Sequence, residues 1–485
     1  MQFFVIQRVI SLLLIVFSFT LLPPVGIGWY YQDPDYFSFV EGFLFIITVG
    51  IIFWFPVRHR KQELRLKDGF LIVVLFWLVL GLSGAIPFYI SETMSLSLTD
   101  SVFESISGLT TTGATILISL DSTPKSILFY RQELQWLGGM GIIVLAVAIL
   151  PMLGVGGMQL YRAEIPGPIK DSKLTPRIKE TAKLLWYIYL ILTISCAVMY
   201  YIAGMDWFDA VCHSFSTVAI GGFSTHNSSI GNFNSPYIEA VAVVFMLLAG
   251  VNFGLHFTAW RNLNIKVYLQ DSEFNAYIGI LAVLILISVP YLYLSSPDTE
   301  LTIADAIQDT VFQVVSISTT TGFTTTDYSK WPGFLPVLLL FSSFIGGCAG
   351  STAGGMKVVR FLLLFKQGSR EIYRLIHPRA KTSIKINRKP LAENVVQGVW
   401  SFFAIYVILF TGFMLLVMMS GVKQETAFSA VAATLNNLGP GLGDVAQNFQ
   451  SMNDFVKWLL CIAMLMGRLE IFTLLVILTP AFWRK

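Results

Sequence analysis

Charged residues are scarce in this sequence. Asp, Glu, Lys and Arg make up 13% of the 485 residues, whereas 55% of residues are hydrophobic and the mean hydropathy is +0.69. A soluble chain of this length would form about three domains with more charge on their surfaces. Apolar runs long enough to cross a bilayer, such as 70–90 and 277–294, recur instead. The composition therefore predicts a membrane protein with several spans.

Histidine and cysteine are also scarce. The five histidines show no metal-binding spacing, and the four cysteines lie in or beside apolar segments, so neither a zinc motif nor a disulfide framework is indicated. No Walker or dinucleotide glycine motif and no catalytic constellation occurs. These absences predict a protein that is not an enzyme, binds no nucleic acid and does not itself bind a regulatory nucleotide.

Basic residues cluster in three stretches, at 58–67, 162–183 and 357–389, and the last holds ten Lys and Arg. Short loops rich in Lys and Arg remain on the cytoplasmic side of a membrane. The alternation of these basic stretches with connections that carry almost no Lys or Arg predicts a multi-pass protein with both termini in the cytoplasm. The first apolar segment is long and lacks a cleavage site, so no cleaved leader is expected. Ten spans are expected, at roughly 9–29, 37–57, 69–91, 126–154, 178–203, 236–262, 275–295, 333–365, 392–420 and 453–481.

Four of the outer connections contain a short amphipathic stretch followed by a small, uncharged turn. In the third, STTTGFTTT (318–326), eight of nine residues carry a hydroxyl or are glycine. Such stretches suit half-helices that enter the membrane and return. One Thr-rich turn is weak evidence, but four in the same topological position indicate an internal repeat. The matching glycines, separated by 109, 100 and 117 residues, are Gly113, Gly222, Gly322 and Gly439.

The repeat extends beyond the turns, because each following span is interrupted by small or polar residues, at 137–141, 248–254, 346–355 and 466–470. The predicted fold class is an all-α polytopic membrane protein. Four tandem units of span, re-entrant half-helix, filter and span would surround a pseudo-fourfold pore, after two extra helices. The expected units are 1–68 for the two N-terminal helices and 69–160, 161–268, 269–389 and 390–485 for the four repeats.

Four half-helices whose C-terminal ends point to one axis would favour a cation there, because each C-terminus carries about −0.5 of an elementary charge. Glycine permits the backbone angles that aim successive carbonyls into a passage, and threonine hydroxyls can add oxygen ligands. Carbonyl dipoles suit a monovalent ion. A multivalent ion would need a ring of carboxylates, and the sequence shows none.

At these residues, and over essentially its whole length, the sequence resembles the Trk/Ktr/HKT superfamily of potassium transporters, most closely the TrkH subunits of bacteria. The resemblance implies one filter glycine per repeat, and four glycines without a serine imply potassium rather than sodium. The second and fourth turns depart from Thr-Thr-Gly, so the ring would be only approximately fourfold. The implied ion-binding residues are Thr111, Thr112, Gly113, Ile220, Gly221, Gly222, Thr320, Thr321, Gly322, Asn437, Leu438 and Gly439.

The resemblance also implies uptake of potassium, with rubidium as its analogue, across the bacterial inner membrane by channel-like permeation. It implies a homodimer and a cytoplasmic nucleotide-binding regulatory subunit of the TrkA type, with no cofactor beyond potassium on this chain. The basic segment 357–389 is a candidate docking site, although cytoplasmic retention explains its charge equally well. The alternative function is a secondary transporter coupled to protons or sodium, which would normally contain a chain of buried titratable groups.

In TrkH-like proteins the second span of the third repeat is broken by an intramembrane loop below the filter, which the segment 346–355 matches. Close helix packing also favours small residues, but five glycines in ten residues favour a hinge. The candidate gating residues in this loop are Gly346, Gly347, Gly350, Ser351, Thr352, Gly354 and Gly355.

Arg468 is a charged residue within an apolar span, and such a residue is a candidate functional site. It is predicted to face the pore below the filter and to take part in gating. The alternative is a structural ion pair, for which Glu470 is a poor partner because residues two apart lie on different helix faces. Three further acids are expected to act in networks or caps rather than as ion ligands: Glu104, Glu133 and Asp209.

Overall fold

The structure is a computed structural model that describes residues 1–59, 66–144, 178–295, 301–380, 382–387, 389–469 and 471–484. In these residues helix predominates, and the strands amount to one short antiparallel hairpin, Lys385–Ile386 with Lys389–Pro390. The predicted fold class, an all-α polytopic membrane protein, is confirmed.

Six helices of the described residues are long and apolar enough to cross a membrane, and two bent helix pairs raise the number to eight. This is fewer than the ten predicted spans, partly because the helix Lys125–Val144 carries charged and amide side chains. A further predicted span, 333–365, is interrupted after an eleven-residue helix, Leu335–Ile345. The six helices are Phe3–Tyr31, Tyr36–Val57, Lys67–Ile90, Lys183–Ile202, Ser272–Leu294 and Glu393–Met419.

One shorter helix, a half-helix, follows the first helix of each of the four predicted repeats. The first three begin at a side-chain cap, in which Ser97, Asp206 or Thr302 accepts a hydrogen bond from a backbone N–H of the first turn. Asp100 and Asp305 lie three residues after the caps of the first and third helices, and Asp305 completes a capping box with Thr302. The four half-helices are Leu98–Leu109, Trp207–Ala219, Ile303–Ser318 and Gln424–Leu435.

The second helix is interrupted in three of the four predicted repeats. Pro236–Ala249 and Phe253–Asn262 meet at 92°. Leu335–Ile345 is separated from Val358–Ile376 by a loop, and Asp454–Arg468 is followed by a separate helix, Ile471–Leu478.

In the first repeat the apolar run is interrupted at 137–141, but the helix Lys125–Val144 continues through this segment. These glycines serve close packing instead. A β-carbon on Gly138 would lie 1.8 Å from the carbonyl oxygen of Leu109, and one on Gly139 would lie 3.0 Å from Ala219. The helix thus packs directly against the C-terminal ends of the first two half-helices.

The half-helices lie at the centre of the fold. The first packs against Lys125–Val144 and Asp454–Arg468, and the fourth packs against Asp454–Arg468 and Glu393–Met419. Nearly every residue of their last two turns is buried, including many hydroxyl side chains. The N-terminal helices pack outside this assembly, against each other and against the first helix of the first repeat.

Candidate functional site

The four matched glycines form a closed ring. A β-carbon on any of them would come within 2.8 Å of the carbonyl oxygen that precedes the matching glycine in the next repeat, closer than real β-carbon contacts. In chain order, Gly113 faces Gly221, Gly222 faces Thr321, Gly322 faces Leu438 and Gly439 faces Thr112, at 2.1, 1.9, 2.2 and 2.8 Å. The fourth turn thus contacts the first, which closes the ring. All four glycines have φ between 76° and 97°, a region that side chains disfavour.

The residue two positions before each ring glycine is also left-handed, although none of these residues is glycine. Their φ angles are 52°, 54°, 67° and 54° at Thr111, Ile220, Thr320 and Asn437. Such residues persist only where the surrounding structure holds them. The four turns therefore share one backbone conformation despite their different sequences.

Paired threonine hydroxyls brace two of the turns. The Oγ1 atoms of Thr110 and Thr112 lie 2.8 Å apart in the first turn, and those of Thr319 and Thr321 lie 2.7 Å apart in the third. These hydroxyls bond one another across the turn, rather than standing free as ligands. They fix the backbone that carries the ring carbonyls.

A cavity of about 400 Å³ opens on one side of the ring and is lined by all four ring glycines. At its rim, the two ring nitrogens of His226 lie 2.8 Å from Asp121 Oδ1 and 3.1 Å from Asp209 Oδ2. The hydrogen bond to Asp209 raises the pKa of His226 above its usual value. The imidazolium form, and its ion pairs with the two carboxylates, are therefore kept to higher pH than in a free histidine.

The expected network role of the acids holds for two of the three. Glu104 pairs with Arg131 at 2.7 Å and accepts hydrogen bonds from the Thr115 hydroxyl and the Ile116 N–H. Asp209 accepts a hydrogen bond from Thr225 as well as contacting His226. Glu133 Oε2, in contrast, is buried without a hydrogen-bond partner among the described residues.

The loop after Leu335–Ile345 lies against the other side of the ring, at the C-terminal ends of the half-helices. The Thr352 hydroxyl donates to the carbonyl oxygen of Val218 at 3.0 Å, and the Gly354 N–H donates to Thr320 Oγ1 at 2.7 Å. The Gly355 N–H donates to the carbonyl oxygen of Asn436 at 3.0 Å. The loop thus contacts the ends of three half-helices. A β-carbon on Gly354 would lie 2.0 Å from the Asn436 oxygen, so only glycine permits this approach.

One carboxylate that sequence reasoning missed bonds both the loop and the first turn of the helix that follows it, Val358–Ile376. Glu273 Oε1 accepts hydrogen bonds from the N–H of Ala349 at 2.6 Å and from that of Val359 at 3.3 Å. Glu273 is buried in the first turn of Ser272–Leu294. A buried acid at the start of an apolar span was the available signal.

Arg468 is buried at the end of Asp454–Arg468 and contacts the same loop. Its Nη1 donates to the carbonyl oxygen of Thr352 at 3.0 Å, while its Nε and Nη2 have no hydrogen-bond partner in the described residues. It lines a cavity of about 50 Å³ together with Lys357 and Asn437. Its neighbours therefore include both the loop and Asn437, a residue of the fourth turn.

The predicted site residues thus fall into two adjacent groups. The twelve predicted filter residues form the ring and the four turns that carry it. The loop residues and Arg468 lie on the side of the ring where the half-helices end. Sequence reasoning missed three side chains of Lys125–Val144 that bond the second turn. These are Arg131, Gln132 and Gln135, whose polar cluster within the predicted span 126–154 was a usable signal.

A closed ring of carbonyls at the ends of four half-helices, set among membrane-spanning helices, defines a polytopic membrane transport protein. The chain belongs to the TrkH family, described as cation transport proteins, whose family model matches residues 36–485. The Trk system potassium uptake proteins TrkH of Vibrio parahaemolyticus and Escherichia coli are 57% and 55% identical to it, with full coverage of both chains. The crystal structure of the potassium transporter TrkH from Vibrio parahaemolyticus matches all of the chain with a TM-score of 0.92 at 55% identity.

Proposed function

We propose that this protein takes up potassium through the carbonyl ring, by channel-like permeation. The observation that carries the proposal is the ring itself, in which each turn packs against a carbonyl of the next. Full-length relatives named as potassium uptake proteins support potassium as the ion. A ring of neutral dipoles can replace the hydration shell of a monovalent cation and still release it. The chain would be a transporter rather than an enzyme, with no bound cofactor beyond the ions that it carries.

Flux through purified protein in liposomes tests this function. Rubidium should move down its own gradient, potassium should compete with it, and no proton should accompany it. Obligatory movement of protons or sodium would instead establish the alternative, a coupled secondary transporter. Absence of any rubidium flux, under conditions that open the gate, would overturn both.

The twelve ring residues would supply the selectivity filter, and the four turns would belong to repeats bounded at 69–160, 161–268, 269–389 and 390–485, after two helices in 1–68. The Thr–Thr hydroxyl pairs support a filter that is held at a fixed size. The filter would lie in the bacterial inner membrane, with both termini in the cytoplasm.

The loop 346–355 would form the gate, with Arg468 beside it. Three hydrogen bonds from the loop to the inner ends of the half-helices support a closed position directly under the ring. A cytoplasmic nucleotide-binding subunit of the TrkA type would move it, acting on a homodimer. The ten Lys and Arg of the segment 357–389 support a docking role, and the hairpin of this segment contacts the first turn of Ser272–Leu294 through Asn387.

Deleting part of the loop 346–355 should raise potassium flux several-fold in the absence of any regulatory subunit. The physical reason is that the loop occupies the inner side of the ring, so its removal opens the passage. Rubidium uptake per folded molecule in liposomes measures the effect, and size-exclusion chromatography monitors folding. A deletion protein that folds normally and shows unchanged flux would place the gate elsewhere.

Replacing Glu273 by alanine should also raise flux without a regulator. The substitution leaves two buried backbone N–H groups, of Ala349 in the loop and of Val359 in the helix after it, without their acceptor, which costs about 1–3 kcal/mol for each group in the closed state. Glu273→Gln keeps an acceptor oxygen and should have a smaller effect. Equal fluxes for the alanine variant, the glutamine variant and the unmodified protein would remove Glu273 from the gate.

A further inference from the structure

The second turn of the ring lacks the brace of the first and third. In those turns, threonines three and one positions before the ring glycine bond each other through their hydroxyls. The corresponding residues of the second turn are Ala219 and Gly221, which carry no hydroxyl. With Gly221 followed by Gly222, this turn also has the greatest backbone freedom of the four. Something else must hold its carbonyl in place.

The Gln135 side chain occupies this position. Its Nε2 donates to the carbonyl oxygen of Gly221 at 2.6 Å, and its Oε1 accepts from the N–H of Phe223 at 3.1 Å. Its Cδ lies 2.4 Å from the point where a β-carbon on Gly221 would be. The amide therefore fills the space of the missing side chain and bonds the backbone on both sides of Gly222.

The neighbouring residues of Lys125–Val144 extend this contact outward. Gln132 Nε2 donates to the carbonyl oxygen of Phe223, and Arg131 Nη1 donates to that of Ser224, each at 3.2 Å. Arg131 is itself held by Glu104. Gln135 is the one of the three that reaches the ring, because the oxygen that it bonds is the one that Gly113 faces.

We propose that Gln135 is a specificity-determining positioning residue, which does for the second turn what the paired threonine hydroxyls do for the first and third. This inference rests on the proposed function of the ring as a potassium filter. Both polar atoms of Gln135 are used by the backbone, so it acts through Gly221 rather than by binding the ion. Without it, the Gly221 oxygen can shift, and the ring loses the ligand geometry that separates potassium from sodium.

Gln135→Met tests the proposal, since methionine keeps the length of the side chain and removes both hydrogen bonds. The ratio of potassium to sodium in competition with rubidium uptake should fall about fivefold, the factor that loss of the hydrogen bond to the Gly221 carbonyl represents at ordinary net strength. Gln135→Glu, which keeps the acceptor for Phe223 but has no donor for Gly221, should also lower the ratio. The matched control is Gln308→Met, because Gln308 lies on the third half-helix away from the ring and donates to Glu239 of Pro236–Ala249. The ratio for Gln308→Met should be unchanged.

The outcomes separate this inference from the proposed function. If the unmodified protein does not distinguish potassium from sodium, the filter function itself fails. If the unmodified protein is selective and both Gln135 variants fold and remain equally selective, the positioning role alone is overturned. The same conclusion follows if both Gln135 variants fail to fold while Gln308→Met folds, because Gln135 would then be a residue of the fold only.

Discussion

Replacing Gly113 by serine should lower the discrimination between potassium and sodium by about an order of magnitude, because one carbonyl ligand of the ring must move. A β-carbon at this position would lie 2.1 Å from the Gly221 oxygen, and φ is 80°. The clash is with backbone rather than with the end of a flexible side chain, so no rotamer change relieves it. The neighbouring turn must shift outward, and the ring widens at this point.

Competition between potassium, sodium and rubidium in liposome uptake measures this effect. Gly279→Ser is a matched control, since Gly279 lies in a membrane span and a β-carbon there would meet nothing within 4 Å. Both variants should insert into the membrane, but only Gly113→Ser should lose selectivity. Unchanged ion ratios in folded Gly113→Ser protein would remove Gly113 from the filter.

Gly439→Ser offers a graded comparison within the same ring. Its β-carbon would lie 2.8 Å from the Thr112 oxygen, a weaker clash than at Gly113, although φ of 97° strains any side chain. A smaller loss of selectivity is therefore expected at Gly439 than at Gly113.

The fold class and the ring glycines could be predicted from the sequence because each leaves a repeated local signal. Apolar runs mark the spans, and one glycine after each amphipathic stretch marks the turns. The glycines at 137–141 carried the same local signal as a broken helix, yet they serve close packing. Only the approach of Leu109 and Ala219, from other elements, distinguishes the two uses.

Residues that act on distant backbone could not be predicted in this way. Gln135 bonds a carbonyl 86 residues further along the chain, and Glu273 bonds an N–H 76 residues further. Neither belongs to a motif with fixed spacing. The sequence places the threonines in the turns beside the ring glycines, but it does not show that their hydroxyls bond each other. Such pairings depend on tertiary contacts that no local pattern contains.

Replacing Arg468 by alanine should increase potassium flux by about an order of magnitude while leaving selectivity nearly unchanged. At an effective dielectric of about 20, two like charges about 8 Å apart repel by roughly 2 kcal/mol, which sets the scale of the barrier. The dipoles of four half-helices attract the cation to the same region and offset part of this repulsion. Selectivity would belong to the proposed filter, the ring, which Arg468 does not bond among the described residues.

The structure adds a second contribution of the same sign. Arg468 Nη1 donates to the Thr352 carbonyl, so the alanine variant also loses an anchor of the loop in its closed position. Arg468→Lys keeps the positive charge but not the planar group that reaches Thr352. Lysine should therefore retain most of the electrostatic barrier, with a flux between those of the alanine variant and the unmodified protein.

A purely structural role for Arg468 predicts the opposite result. If the guanidinium balanced a buried carboxylate, alanine would leave that carboxylate unpaired, lower the yield of folded protein and reduce flux. The hydrogen-bond acceptor that Arg468 has in the described residues is instead a neutral carbonyl, and two of its N–H-bearing nitrogens are unpaired. Removing a guanidinium buried in this way should cost little folding free energy, because its own desolvation is relieved at the same time. Rubidium uptake per folded molecule, measured for Arg468→Ala and Arg468→Lys with potassium and sodium as competitors, distinguishes the two roles: higher flux with retained selectivity supports the gate, whereas loss of folded protein in the alanine variant supports the structural pair.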